Sequence, residues 1–234
     1  LELFHDYIIT GGFPEVVLAN IAGKTNHEID AIKQKILDVY KKEIALNKVL
    51  IDIPRGIEVF DSIPEQLQKE NKKFQYGTMG TGKRAKEYES SINFLINNQI
   101  VYRSFKIKTV KSPLSSCRET DSFKLYIPDD GLLVSMSHLN YKQIATDERI
   151  RETLYENHIA KTLVEAGYAL YYYQSDGKAE VNFVIQNRKG QIIPLEIATR
   201  TQSKAKSLSV FMKKFTVPQA YRITENNFST SILS

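Results

Sequence analysis

This sequence predicts an α+β fold in two domains, a helical domain over residues 1–140 and a domain of order αβββαβ over residues 145–225. Three observations predict it. Apolar residues recur at helical spacing through most of the first half. From about residue 147 the rhythm changes to short aromatic and β-branched runs that alternate like strands. Helical segments precede and follow those runs, and one more short strand closes the series. With 42% hydrophobic and 25% charged residues in 234, the chain has the composition of a globular protein able to bury such cores.

The elements follow in order. Thr10-Gly11-Gly12-Phe13-Pro14 interrupts the first apolar segment and predicts a turn. Residues 28–47 place Ile29, Ile32, Ile36, Val39 and Ile44 on one side of a helix. Residues 57–70 read as helical, with Pro64 expected to break or restart the helix. Residues 84–98 gather Tyr88, Ile92, Leu95 and Ile96 on one face, and residues 100–107 and 123–127 read as strands. Helices followed by a strand pair give the order of a winged helix, a module that contacts duplex DNA or packs against neighbours. A boundary is expected between Leu139 and Asp147. Beyond it come a helix over 148–166 closed by Gly167, strands over 168–173, 180–185 and 191–198, a helix over 203–215 and a strand over 220–223. The polar tail past Asn226 reads as loose.

Composition narrows the function. Net charge is +5 with a pI near 9.0, which permits contact with a polyanion such as nucleic acid where the charge is clustered. Basic residues gather over 69–86 and 204–214, where solvated helix faces are the better explanation for either run taken alone. No apolar run approaches the ~18 residues of a membrane span, so no membrane partner is expected. A single cysteine, Cys117, fits a reducing compartment, the cytoplasm, and with four histidines predicts no zinc cluster. Gly77-Thr78-Met79-Gly80-Thr81-Gly82-Lys83-Arg84 nearly spells a phosphate-binding loop. Arg84 stands where a Mg²⁺-binding hydroxyl belongs, and no buried strand precedes it. Neither ATP hydrolysis nor a bound cofactor is expected of this chain.

The stretch that carries chemistry is Glu180-Val181-Asn182-Phe183-Val184-Ile185, a turn over 186–190, and Ile193-Pro194-Leu195-Glu196-Ile197-Ala198. Alternation along strands sets Asn182 with Glu180, and Glu196 with Pro194 and Ala198. In a suitable hairpin register Asn182 and Glu196 enter one cleft, and Glu156 reaches it from the preceding helix. Carboxylates so paired hold Mg²⁺, the metal activates water, and a lysine orients that water and offsets developing charge. Plainer readings accompany several residues. Glu180 suits a solvent-facing strand position, Glu156 a helix surface, and Tyr171, Tyr172 and Tyr173 a core rather than a base-stacking surface. Asp129 and Asp130 before Gly131 suit a helix cap.

Glu156-Asn157, Tyr171-Tyr172-Tyr173, Glu180-Val181-Asn182-Phe183, Pro194-Leu195-Glu196-Ile197 and Ser207-Leu208 together resemble the C-terminal domain of a large family of prokaryotic AAA+ ATPases, domain of unknown function 4143. That domain is similar to PD-(D/E)XK nucleases. Tyr7, Thr10-Gly11-Gly12-Phe13-Pro14-Glu15-Val16, Phe60-Asp61-Ser62-Ile63-Pro64, Lys73-Phe74, Lys124-Leu125-Tyr126 and Asp130-Gly131-Leu132-Leu133 extend the likeness over nearly the whole chain. The resemblance implies a restriction-endonuclease-like fold for 145–225 and an ATPase module ahead of Leu1 as partner. It also implies a weak Mg²⁺ site at Glu156, Asn182 and Glu196, with Glu196 and Glu156 as candidate catalytic residues. Two departures stand out. Asn182 occupies the family's aspartate position and Ala198 its lysine position. Arg200 is a candidate substitute, electrostatic only because arginine holds its proton, and Lys178 or Lys204 are others. The expectation is an accessory module of a AAA+ protein with a degenerate nuclease-like site, serving recognition or docking, with DNA as a ligand. The alternatives are an active Mg²⁺-dependent nuclease with a rearranged site, and a protein-interaction module using the tyrosine-rich sheet or the N-terminal helices.

Overall fold

The computed structural model describes residues 2–46, 52–175, 179–199 and 206–226. They fall into two compact units, and each unit takes two stretches of chain. The first comprises Leu1–Tyr102 and Leu125–Lys161, the second Arg103–Lys124 and Thr162–Ser234.

The first unit is helical. It contains α1 (Glu2–Thr10), α2 (Pro14–Ile21), α3 (Asn26–Leu46), α4 (Ile53–Gln68), α5 (Ala85–Asn97), α6 (Asp130–Met136), α7 (Tyr141–Thr146) and most of α8 (Glu148–Glu165). Pro14 opens α2 at the position where its missing N–H costs nothing. Asp52 caps α4 by accepting from the Arg55 N–H at 3.3 Å. Pro64 neither breaks nor restarts α4 but lies inside it. Val59, Phe60, Ile63 and Leu67 are all buried along that helix. Each such side chain contributes about 1.5–3 kcal/mol on burial, enough together to outweigh the ~3 kcal/mol cost of an interior proline. Buried Lys33 on α3 donates to the Ile9 carbonyl at 2.7 Å, placing a cation at the negative end of α1.

The turn after α1 is fastened to the start of α6. Asp129 caps α6 through the Leu132 N–H at 2.9 Å and accepts the Gly12 N–H at 2.7 Å with its other oxygen. Gly11 adopts φ +83°, and a Cβ there would stand 2.3 Å from the Asp129 carboxylate. A Cβ on Gly131 would stand 2.3 Å from the Thr10 carbonyl oxygen. The Thr10-Gly11-Gly12 and Asp129-Asp130-Gly131 motifs therefore interlock, and their glycines are required by close approach. Asn157 of α8 brackets the Ile127 peptide and donates to Asp130 at 2.8 Å, which also meets His158 Nδ1 at 2.8 Å.

The second unit is built on a six-stranded mixed sheet of β1 (Tyr102–Ile107), β2 (Arg118–Tyr126), β3 (Leu170–Gln174), β4 (Glu180–Gln186), β5 (Ile192–Ala198) and β6 (Tyr221–Thr224), in the order β2-β1-β3-β4-β5-β6. With α9 (Lys206–Phe215) between β5 and β6, the chain from α8 onward runs αβββαβ. Strands β3, β4 and β5 are antiparallel neighbours, while β1 joins β3 and β6 joins β5 in parallel. The strand pair read from the sequence as a wing is thus the margin of this sheet, with Ser104 opposite Leu170 and Ile107 opposite Tyr173. Leu208 and Phe211 of α9 pack on Tyr171, Tyr173, Val181 and Val184, and the Tyr173 and Phe211 rings meet edge-on at 5.0 Å. The three tyrosines of β3 are core residues, each at most 7% exposed.

Candidate functional site

The β4–β5 hairpin turns at Asn187-Arg188-Lys189-Gly190. The Asn187 side chain accepts from the Lys189 and Gln191 N–H groups, and Gly190 takes the φ of +79° that the turn requires. The register sets Phe183 opposite Leu195 and Val184 opposite Pro194, one step from Asn182 and Glu196. Against β3, however, β4 holds an extra residue. Val181 pairs with Tyr173 and Val184 with Tyr171, and both valines pack in the core with α9. This bulge breaks the simple alternation at Asn182-Phe183.

Asn182 is 9% exposed, and its Oδ1 accepts the Ile197 N–H at 2.9 Å. The side chain thereby serves as a rung of the β4–β5 ladder and satisfies a buried backbone donor. Glu196 lies beside Arg222 in the parallel β5–β6 register. Its carboxylate is 3.2 Å from the Arg222 Nε, with the two side chains 13% and 25% exposed. Ala198 stands beside Thr224. Arg200, Lys178 and Lys204 lie outside the described residues.

A second ion pair involves Glu180. Lys124 of β2, wholly buried, reaches its carboxylate at 2.5 Å and places its ammonium 4.8 Å from the centre of the Tyr172 ring. Burial pushes the Tyr172 hydroxyl up to about 12, against the pull of Lys124. Glu156, the remaining expected ligand, belongs to the first unit and is 1% exposed. Lys72 meets one of its oxygens at 2.8 Å and the Tyr126 hydroxyl donates to the other at 2.7 Å. Glu156 is thus a buried, compensated charge within that unit.

Mg²⁺ seeks an octahedral set of oxygen donors, with carboxylates supplying charge. Here Asn182 offers a neutral oxygen already bonded to an N–H, and Glu196 offers a carboxylate already facing a guanidinium. This donor set does not fit Mg²⁺. Among the described residues no group of three or more His, Cys, Asp or Glu side chains is placed to hold a metal ion. Lys83 of the phosphate-loop lookalike is likewise engaged, bonding Glu58 at 3.0 Å beside the Tyr88 hydroxyl.

Residues 1–143 match the family model of a domain of unknown function, DUF8612. The chain belongs to the DUF8612 family. Residues 151–232 match a second domain of unknown function, DUF4143. The 4143 likeness drawn from the sequence over nearly the whole chain thus has its match in the C-terminal segment, and the DUF8612 domain covers the part ahead of it. No curated protein and no solved structure matches the chain. In this DUF8612 protein Lys124 and Arg222 were the residues that sequence reasoning missed. Arg222 lay in a strand that was foreseen, and a parallel β5–α9–β6 crossover would have placed it beside Glu196. Lys124 stood in the Lys124-Leu125-Tyr126 motif, but its pairing with Glu180 was not legible, because that partner is 56 residues away.

Proposed function

We propose that this chain is an accessory module of a AAA+ ATP-binding protein whose PD-(D/E)XK-like segment has exchanged metal-dependent cutting for recognition or docking, with DNA as its ligand. The observation that carries this reading is the pairing of Glu196 with Arg222 beside an Asn182 bonded to the Ile197 N–H. A nuclease site needs charged oxygen donors open to Mg²⁺. Here the Arg222 guanidinium faces Glu196, and among the described residues no group of three or more His, Cys, Asp or Glu side chains is placed to hold a metal ion. The module retains the αβββαβ order expected of such folds and a net charge of +5. The helical half acts in this reading as a support, and an ATPase domain is the partner in cis. Cys117, a free thiol, suits a reducing compartment such as the cytoplasm.

The test is equilibrium binding of fluorescent duplex and single-stranded DNA at several salt concentrations. The reading expects log K to fall linearly with log salt, by about 0.9 per duplex phosphate contact or 0.7 per single-strand contact. Absence of salt-sensitive binding to either form removes DNA from the account.

A further inference from the structure

Besides the basic runs over 69–86 and 204–214, a third segment of this chain carries clustered positive charge. Residues 103–124 hold six basic side chains (Arg103, Lys106, Lys108, Lys111, Arg118 and Lys124) against Glu119 and Asp121, a net +4. Three of the cations are engaged, Lys108 with Glu119 at 3.0 Å, Lys124 with Glu180, and Arg103. Lys111 and Arg118 are exposed and Lys106 is half-buried. None of these three has an acidic partner among the described residues.

Aromatic rings are interleaved with this charge. The Arg103 guanidinium carbon lies 4.2 Å from the centre of the half-buried Phe105 ring and 5.9 Å from that of Phe123. The Arg118 guanidinium lies 5.4 Å from the same Phe105 ring, and the two phenylalanines meet edge-on at 6.4 Å. Strand β2, which opens with Arg118, is the outermost strand of the sheet.

We infer that this margin of the sheet, formed by β1, the start of β2 and the loop joining them, binds single-stranded nucleic acid. The inference rests on the DNA-recognition reading above and names the surface responsible. The Arg118 guanidinium, laid against the Phe105 ring, is held flat, with N–H edges for phosphate oxygens and a plane on which an unpaired base stacks. Cationic residues beside an aromatic cluster form the arrangement that tracks an extended, unstacked backbone. Stacking on these planes needs bases whose faces are free of a helix, which favours the single strand over the duplex.

The test compares the 234-residue chain with Lys111→Gln/Arg118→Gln and with a control of equal charge, Lys206→Gln/Lys213→Gln on α9, using labelled oligo-dT and a duplex of the same length over a salt series. All four substituted side chains are exposed. The expected result is tighter binding of oligo-dT than of duplex by the unsubstituted chain. The first variant should lose about 1.4 from the log–log slope, two contacts at ~0.7 each, while the control keeps the original slope. Equal slopes for both variants, with binding intact, overturn this surface and leave the DNA reading standing. Tighter binding to the duplex overturns the single-strand assignment. No salt-sensitive binding by the unsubstituted chain overturns both.

Discussion

Replacing Arg222 with glutamine removes the cation facing Glu196 and leaves a carboxylate 13% exposed beside a neutral amide. Two unit charges 3.2 Å apart attract by about 5 kcal/mol at an effective dielectric near 20. Desolvation offsets much of that, and the partial exposure of Arg222 lets solvent screen the remainder. A net coupling of about 1–3 kcal/mol is therefore expected. Urea unfolding at pH 7 of Glu196→Gln, Arg222→Gln and the double variant closes a thermodynamic cycle. Arg222→Gln alone should lose roughly 2–3 kcal/mol, because it takes the facing cation from a carboxylate that is largely buried. The double variant should lose less than the two single losses combined, by the coupling energy. A coupling below about 0.5 kcal/mol, within the range of independent sites, would refute the argument that Arg222 neutralises Glu196.

Three other outcomes follow from the same geometry. Asp129→Ala removes the α6 cap and the Gly12 tether together and should cost about 2–4 kcal/mol in urea unfolding, where an exposed cap alone would cost near 1. Tyr172 gives a pH signature. Its folded pKa of about 12 lies above the ordinary value near 10, so the unfolded chain releases that proton first and stability falls as pH rises from about 10 toward 12. The loss should reach about 2 kcal/mol near pH 12 and be absent from Tyr172→Phe, measured as the difference between their unfolding curves. Asn182→Asp with Ala198→Lys restores the residue types of the nuclease pattern, yet Mn²⁺ titration should stay flat while Arg222 is present; metal uptake should require Arg222→Gln in addition.

Much of the architecture was legible in the sequence because it is encoded locally. Gly11, φ +83°, and Pro14, first residue of α2, marked a turn that any chain with those residues would make. The αβββαβ order followed from the short apolar and aromatic runs of β3, β4 and β5, from Gly167 closing α8 and from the helical pattern of α9. Pro64 misled, since propensity argues for a break and the burial of Val59, Phe60, Ile63 and Leu67 overrides it. At the site, Asn182 and Ala198 were readable as departures from a charged pattern. The engagement of the Asn182 oxygen was not, because it depends on the bulge that lets β4 hold one more residue than β3. The partners of Glu180 and Glu196 escaped for a related reason. Arg222 reaches Glu196 from the adjacent strand 26 positions away, and Lys124 reaches Glu180 from β2, 56 positions away and not adjacent to β4 in the sheet. Pairings at that range are set by topology rather than by local sequence.

Incubating supercoiled plasmid with the chain in Mg²⁺ and in Mn²⁺, beside Glu196→Ala, bears most directly on the claim that internal cations have replaced the metal. The account predicts no nicking above background for either protein in either ion. Nicking by the unsubstituted chain that Glu196→Ala abolishes, with a distant surface variant unaffected, would contradict it.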